Sequence, residues 1–128
     1  MKRFYLYMAV VITASVLYFS CESSVENNID GTWRMINVGD LSPDKYTEWT
    51  LMDGYIHMIE TYVDSTNLDT LNYGSYTIKI KRLTRYLRLS ENSKSQWDGD
   101  WKIDKLNSKY LVLVRDQDYL EYYEFVKK

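Results

Sequence analysis

The sequence predicts an all-β fold, an antiparallel meander of eight strands, and three observations carry that reading. Eight short runs rich in Val, Ile, Thr, Tyr, Phe and Trp follow one another from Thr32 to Lys127, a composition suited to a pleated, half-buried surface. Polar residues that favour tight turns separate several of these runs. Nowhere do apolar residues recur at helical spacing over three turns, which removes the crossover helices that a parallel sheet requires.

In chain order the predicted strands are 32–38 (TWRMINV), 48–53, 55–63, 73–81, 83–90, 101–106, 109–115 and 119–127. Asp53-Gly54 divides the second from the third as a two-residue hairpin turn would. Asn107-Ser108 does the same for the sixth and seventh, and Asp116-Gln117-Asp118 closes the last pair. The stretch Gly39 to Tyr46, with the only proline at Pro43, predicts a short helical turn or a lid. Strands this short hide their edges either by closing into a barrel or by stacking as two sheets.

The opening motif favours the barrel. DGTWRM at Asp30 to Met35 resembles the Gly-x-Trp start of the lipocalin-like domains of small lipoproteins of Gram-negative bacteria. So do WTLMDG at Trp49 to Gly54, GSYTI at Gly74 to Ile78, Leu87 and Leu89, the spacing of Ile103, Leu106, Leu111 and Leu113, and the terminal YYEFVK. The resemblance covers nearly all of 30–128. It implies a small eight-stranded lipocalin-like barrel with Trp33 plugging its closed end, and a binding role rather than catalysis.

Ahead of that domain, Lys2 and Arg3 precede an uncharged run from Phe4 to Phe19 that stops at Ser20-Cys21. A cationic start, an apolar middle and a small residue before polar sequence read as an export signal over 1–20. Tyr18 is too large for an ordinary leader-peptidase site, whereas Tyr18-Phe19-Ser20-Cys21 resembles the lipobox of bacterial lipoproteins, with Leu17 one position earlier than that family's leucine. The resemblance implies that Cys21 is lipidated on sulfur and becomes the mature N-terminus. Acyl chains contribute roughly 0.8 kcal/mol per buried methylene, so two or three anchor durably where one does not. The competing reading is an uncleaved membrane helix with a buried thiol. A lone cysteine in an exported chain forms no internal disulfide, which fits the lipidated thiol. ESSVENNI, Glu22 to Ile29, is short and polar and is expected to tether the domain, so that 21–29 joins the lipid to the barrel over 30–128. The expected location is the cell envelope, lipid-anchored at the outer membrane, the membrane itself being a partner.

Charge and ligand chemistry exclude several functions. The net charge of −2 becomes about −4 once Lys2 and Arg3 leave with the signal, which argues against nucleic acid as a partner. His57 is the only histidine and stands between apolar residues, so no catalytic residue is assigned. No cofactor or metal is expected, since His and Cys clusters are missing. In WDGDWKID, Trp97 to Asp104, Ile103 takes the place where a calcium loop demands glycine. The basic run Lys79 to Arg88 has the chemistry for nucleic acid or anionic lipid headgroups, and equally that of a solvated sheet face.

An eight-stranded barrel is just wide enough to be filled by its own side chains or to hold one small ligand. Alternation puts Tyr76, Ile78 and Ile80 on one face and gives Arg85 the parity of Leu87 and Leu89, which aims a guanidinium inward. A buried arginine needs a partner: a ligand carboxylate, Glu60, or a bulge that turns it outward. If a small apolar ligand is held, Arg85, Trp33, Met58, Tyr62 and Tyr76 are its candidate contacts. The other reading is a solid-cored interaction module of a cell-envelope complex. With 13 tyrosines in the chain, and only Tyr5, Tyr7 and Tyr18 in the signal, the domain holds more than a core absorbs, and tyrosine is enriched at interfaces. The last strand puts Tyr119, Tyr123 and Phe125 on one side and Leu120, Tyr122 and Val126 on the other, so one side must be exposed or contacted.

Overall fold

Glycine at 31 opens the first strand with φ of +132°, a backbone that L side chains rarely adopt, and the chain then runs as β1 (Gly31–Ile36). The computed structural model describes residue 25 and residues 28–36, 45–63, 68–117 and 120–128. Cys21 and the expected signal lie outside the described residues, as do residues 37–38 of the first predicted strand and residues 39–44 of the expected turn or lid. Lys45 and Tyr46 already belong to the second strand.

β2 (Lys45–Met52), β3 (Tyr55–Tyr62), β4 (Leu68–Lys81), β5 (Thr84–Ser90), β6 (Gly99–Leu106), β7 (Tyr110–Asp116) and β8 (Leu120–Lys127) follow, with a 3₁₀ turn at Ser95–Trp97 before β6. All pairings are antiparallel between sequence neighbours, and β1 pairs with β8 from Trp33↔Lys127 to Ile36↔Glu124. The sheet is therefore a closed barrel without a free edge. This is the meander that the sequence predicts, and its architecture is consistent with a lipocalin-like fold. Asp53 and Gly54 join β2 to β3 with φ of +53° and +82°, as a mirror-image two-residue turn requires.

Period-two alternation sets which side chains enter. Leu87 and Leu89 of β5 are buried around an exposed Arg88, and Trp101 and Ile103 of β6 around an exposed Lys102. Two bulges shift that phase. One leaves Leu71 unmatched between Met58↔Asn72 and Ile59↔Thr70, and the other leaves Asp104 unmatched between Ile103↔Leu113 and Lys105↔Val112. The second bulge brings Leu106 against the core, three residues after Ile103 rather than two or four.

The interior is taken up by side chains. Trp33, Trp49, Trp101, Phe125, Met58, Leu51, Ile56, Leu87, Leu89, Leu111 and Leu113 are all fully buried. Trp49 lies near the middle of this packing, edge-on to Trp101 at 5.9 Å and tilted over Phe125 at 4.8 Å. Such pairs contribute about 0.5–1.5 kcal/mol each beyond area burial.

Because the meander alternates direction, one end of the barrel carries the start of β1, the β2–β3, β4–β5 and β6–β7 hairpins and the end of β8. Val25 and Ile29, in helical conformation, are buried there, Trp33 Nε1 donates to Ile29 O at 2.6 Å, and the Tyr76 hydroxyl donates to Asp30 Oδ1. The stretch expected to be a tether thus contributes two core residues. Trp33 lies beneath them, fully buried, with Lys127 Nζ 5.0 Å over its ring.

Candidate functional site

The opposite end of the barrel, its mouth, is bounded by the β5–β6 and β7–β8 connections. Leaving β5, the chain must travel from Ser90 to Gly99 across that mouth, and a buried carboxamide fixes its path. Asn72, on the inner face of β4 and fully buried, donates from Nδ2 to Asn92 Oδ1 at 2.7 Å. Its Oδ1 accepts from Ser93 Oγ and from Lys94 N, both at 3.0 Å. Asn92 in turn donates from Nδ2 to Asp98 Oδ1 at 2.6 Å and from its backbone N at 3.1 Å. A buried carboxamide this fully paired favours one loop conformation, since any other leaves its own Nδ2 and Oδ1 orphaned in the interior.

The loop delivers Trp97 over the barrel. Its ring stacks on Trp101 at 5.9 Å with 22° between planes and meets Trp49 edge-on at 5.5 Å. Tyr123, inward on β8, stands 5.2 Å from Trp101 and 6.5 Å from Trp97. Trp101 Nε1 donates to Trp97 O at 3.1 Å, which ties the core to the loop. The Trp49 Nε1 donor is buried without a partner among the described residues.

Above this aromatic floor lies Arg115, at the inward parity of Leu111 and Leu113 on β7. Its guanidinium sits 4.6 Å over the Trp101 ring and donates to Gln96 O at 2.6 Å and Asp98 O at 3.2 Å. With its amide oxygen turned toward the guanidinium, Gln117 accepts from Nε at 3.0 Å and Nη2 at 2.8 Å. Glu121 is the cross-strand neighbour of Arg115, and its Oε2 accepts from the Tyr123 hydroxyl at 3.0 Å. These groups border an open cleft of about 640 Å³ that includes Ser95, Gln96 and Trp97. One guanidinium and two carboxylates, Asp98 and Glu121, over indole faces suit a polar group of mixed charge rather than an acyl chain.

Of the five ligand contacts expected from the sequence, Trp33, Met58 and Tyr76 belong to one core cluster, whereas Tyr62 and Arg85 lie at opposite ends of the barrel. The first three are buried, Met58 Sδ accepting from Asn72 Nδ2 at 3.5 Å. Tyr62 is 38% exposed at the mouth end of β3 and donates to Glu60 Oε1 at 3.3 Å. Arg85 keeps its inward register opposite Ile80 but lies at the hairpin end, half-buried. Glu60 is not its partner, pairing with Lys45 at 3.0 Å, and β5 shows no bulge. The guanidinium at the mouth is Arg115, which the parity argument applied to β7 would have found. His57 is exposed on the outer face within 3.4 Å of Thr70 Oγ1, away from the cleft. Among the described residues no group of three His, Cys, Asp or Glu side chains could hold a metal.

A second cleft of about 400 Å³ lies on the outer wall, bordered by Ile36, Tyr110, Val112 and Tyr122, the last 61% exposed. On β8 the Tyr123–Phe125 side faces in, and Leu120 and Tyr122 face out. No protein-family model, curated protein or solved structure matches the chain.

Proposed function

We propose that the chain is a lipid-anchored lipoprotein of the cell envelope, with Cys21 as the acylated residue, and that its barrel is a non-catalytic, solid-cored interaction module contacting a partner at the mouth. The observation that carries the reading is the division of space: five buried aromatic side chains and the aliphatic side chains around them take up the interior, while a polar cleft of about 640 Å³ opens over the stacked indoles. A small apolar ligand would have to displace that packing, at a cost of several kcal/mol for each large side chain moved. A polar segment of a partner needs no such rearrangement. It would meet Arg115, Glu121 and the rim of Trp97, aromatic and arginine groups of the kind that dominate interface energies.

The exposed aromatic wall around Tyr110 and Tyr122 supports the same class of function at a second surface. A photo-crosslinking residue at Gln96, introduced in the native envelope, tests the proposal. A discrete adduct that Arg115→Ala removes is the expected result. An adduct that persists in that variant, or none, together with a fatty acid extracted from the barrel, would support a ligand-carrying interior instead.

A further inference from the structure

The end of the barrel remote from the mouth carries a feature that the interaction reading leaves unused. Arg82 and Leu83 form the two-residue tip of the β4–β5 hairpin between Lys81 and Thr84, with φ of +48° and +66°. Glycine and asparagine fill such a turn readily; a leucine with its side chain 94% exposed does not. Among the described residues no other large hydrophobic is so exposed. The turn therefore holds an apolar side chain out in solvent at a conformational cost.

Cations surround it. Lys81, Arg82 and Arg85 belong to this hairpin, and Lys105 and Lys109 flank the β6–β7 turn at the same end. Among the described residues Arg82, Arg85, Lys105 and Lys109 make no ion pair. Tyr55, beside the β2–β3 turn, and Tyr110, beside the β6–β7 turn, add exposed amphipathic rings. The mouth has exposed apolar groups too, Leu68 and Leu120 among them, but Glu60, Asp69, Glu91 and Glu121 stand at that end. Asp30 and Asp53 also lie at the remote end, but Arg82, Arg85, Lys105 and Lys109 outnumber them, so a domain with a net negative charge concentrates unpaired positive charge at one pole. Orientation agrees, because Val25 and Ile29 are buried at that pole, so the segment leading back to Cys21 joins the barrel there.

We infer that this pole docks on an anionic phospholipid surface, with Leu83 entering the interface and the surrounding Lys and Arg side chains facing headgroups. Basic clusters attract anionic lipid within about one Debye length, and tyrosine rings settle at headgroup level. A protein-held tip adds a second membrane signal to acyl chains and fixes how the barrel stands on the bilayer, mouth outward. The inference rests on the anchored-lipoprotein reading for its orientation only; the charge and the exposed leucine are independent of it.

The test uses the full chain as isolated from membranes, reconstituted in vesicles of phosphatidylcholine alone or with phosphatidylglycerol. Leu83→Cys carries an environment-sensitive NBD label, and Leu120→Cys carries it at the mouth. The expected result is a blue-shifted, several-fold brighter emission at position 83 with phosphatidylglycerol, quenched by brominated lipid. It should weaken in high salt and when Arg82→Glu and Lys105→Glu are added, while position 120 remains aqueous. A protein that floats with vesicles while both labels stay aqueous overturns the docking and leaves the anchor standing. A protein whose Cys21 is itself labelled and which does not float, yet which shifts at 83, supports docking and overturns the anchor. One that neither floats nor shifts overturns both.

Discussion

Asn72 Nδ2 donates to Asn92 Oδ1 at 2.7 Å, so a fully buried carboxamide on the barrel wall holds the connection that carries Trp97 over the mouth. Asn72→Ala removes this donor and the acceptor used by Ser93 and Lys94, and leaves the Lys94 N–H without its partner. The expected loss is about 3 kcal/mol, from an emptied site plus orphaned polar groups. Hydrogen exchange should accelerate from residue 92 to 98 before it does in β5 or β6. Uniform acceleration would mean that the carboxamide supports the barrel generally rather than the loop.

Two tryptophans in the same cluster should respond differently to loss of the indole N–H. Trp101 Nε1 donates to Trp97 O, whereas Trp49 Nε1 has no partner among the described residues. Both →Phe changes leave a similar void, but only the change at Trp101 breaks a hydrogen bond. Urea unfolding should place Trp101→Phe about 1 kcal/mol below Trp49→Phe. Equal losses would assign Trp49 a bound acceptor.

Asp100 gives a pH dependence of known sign. The Arg88 guanidinium hydrogen-bonds it at 2.6 and 2.9 Å, and with lesser help from Lys79 and Lys81 this holds its carboxyl below the usual carboxylate range. A carboxyl lowered on folding stabilises the fold above its unfolded pKa, and that contribution is lost as pH falls through the lowered folded value. Arg88→Gln should raise the Asp100 midpoint in a carboxyl NMR titration. The accompanying stability loss should be small at neutral pH, because the pair is exposed, and should vanish in acid.

Replacing Arg82-Leu83 by Asn-Gly should raise stability by about 1 kcal/mol, since the turn keeps its positive φ angles without a side-chain penalty at 83. Thermal unfolding in the absence of lipid measures this. A loss instead of a gain would mean that Leu83 contributes to folding.

How much of this could be read from sequence follows from the physics of each part. Alternation is a local property, so all eight strands and the Asp53-Gly54 turn were legible. Leu68 to Asn72 of β4 was not, because Asp69, Thr70 and Asn72 look like loop residues until the interior network of Asn72 is known. The 82–83 turn lacked the glycine or asparagine that marks such turns. Arg85 shares the register of Leu87 and Leu89, yet parity does not say how near a residue lies to the barrel's end, where it is only half-buried. Arg115 had the same signal from Leu111 and Leu113. What selected it as the site residue was the aromatic cluster below and the loop carbonyls beside it, contacts made by residues distant in sequence.

Native mass spectrometry of the mature protein extracted from its envelope measures anchor and interior together. A polypeptide beginning at Cys21, carrying acyl chains on that residue and no further apolar molecule, is the predicted species. A protein that starts elsewhere with an unmodified thiol, or that holds a stoichiometric fatty acid within the barrel, would contradict the account.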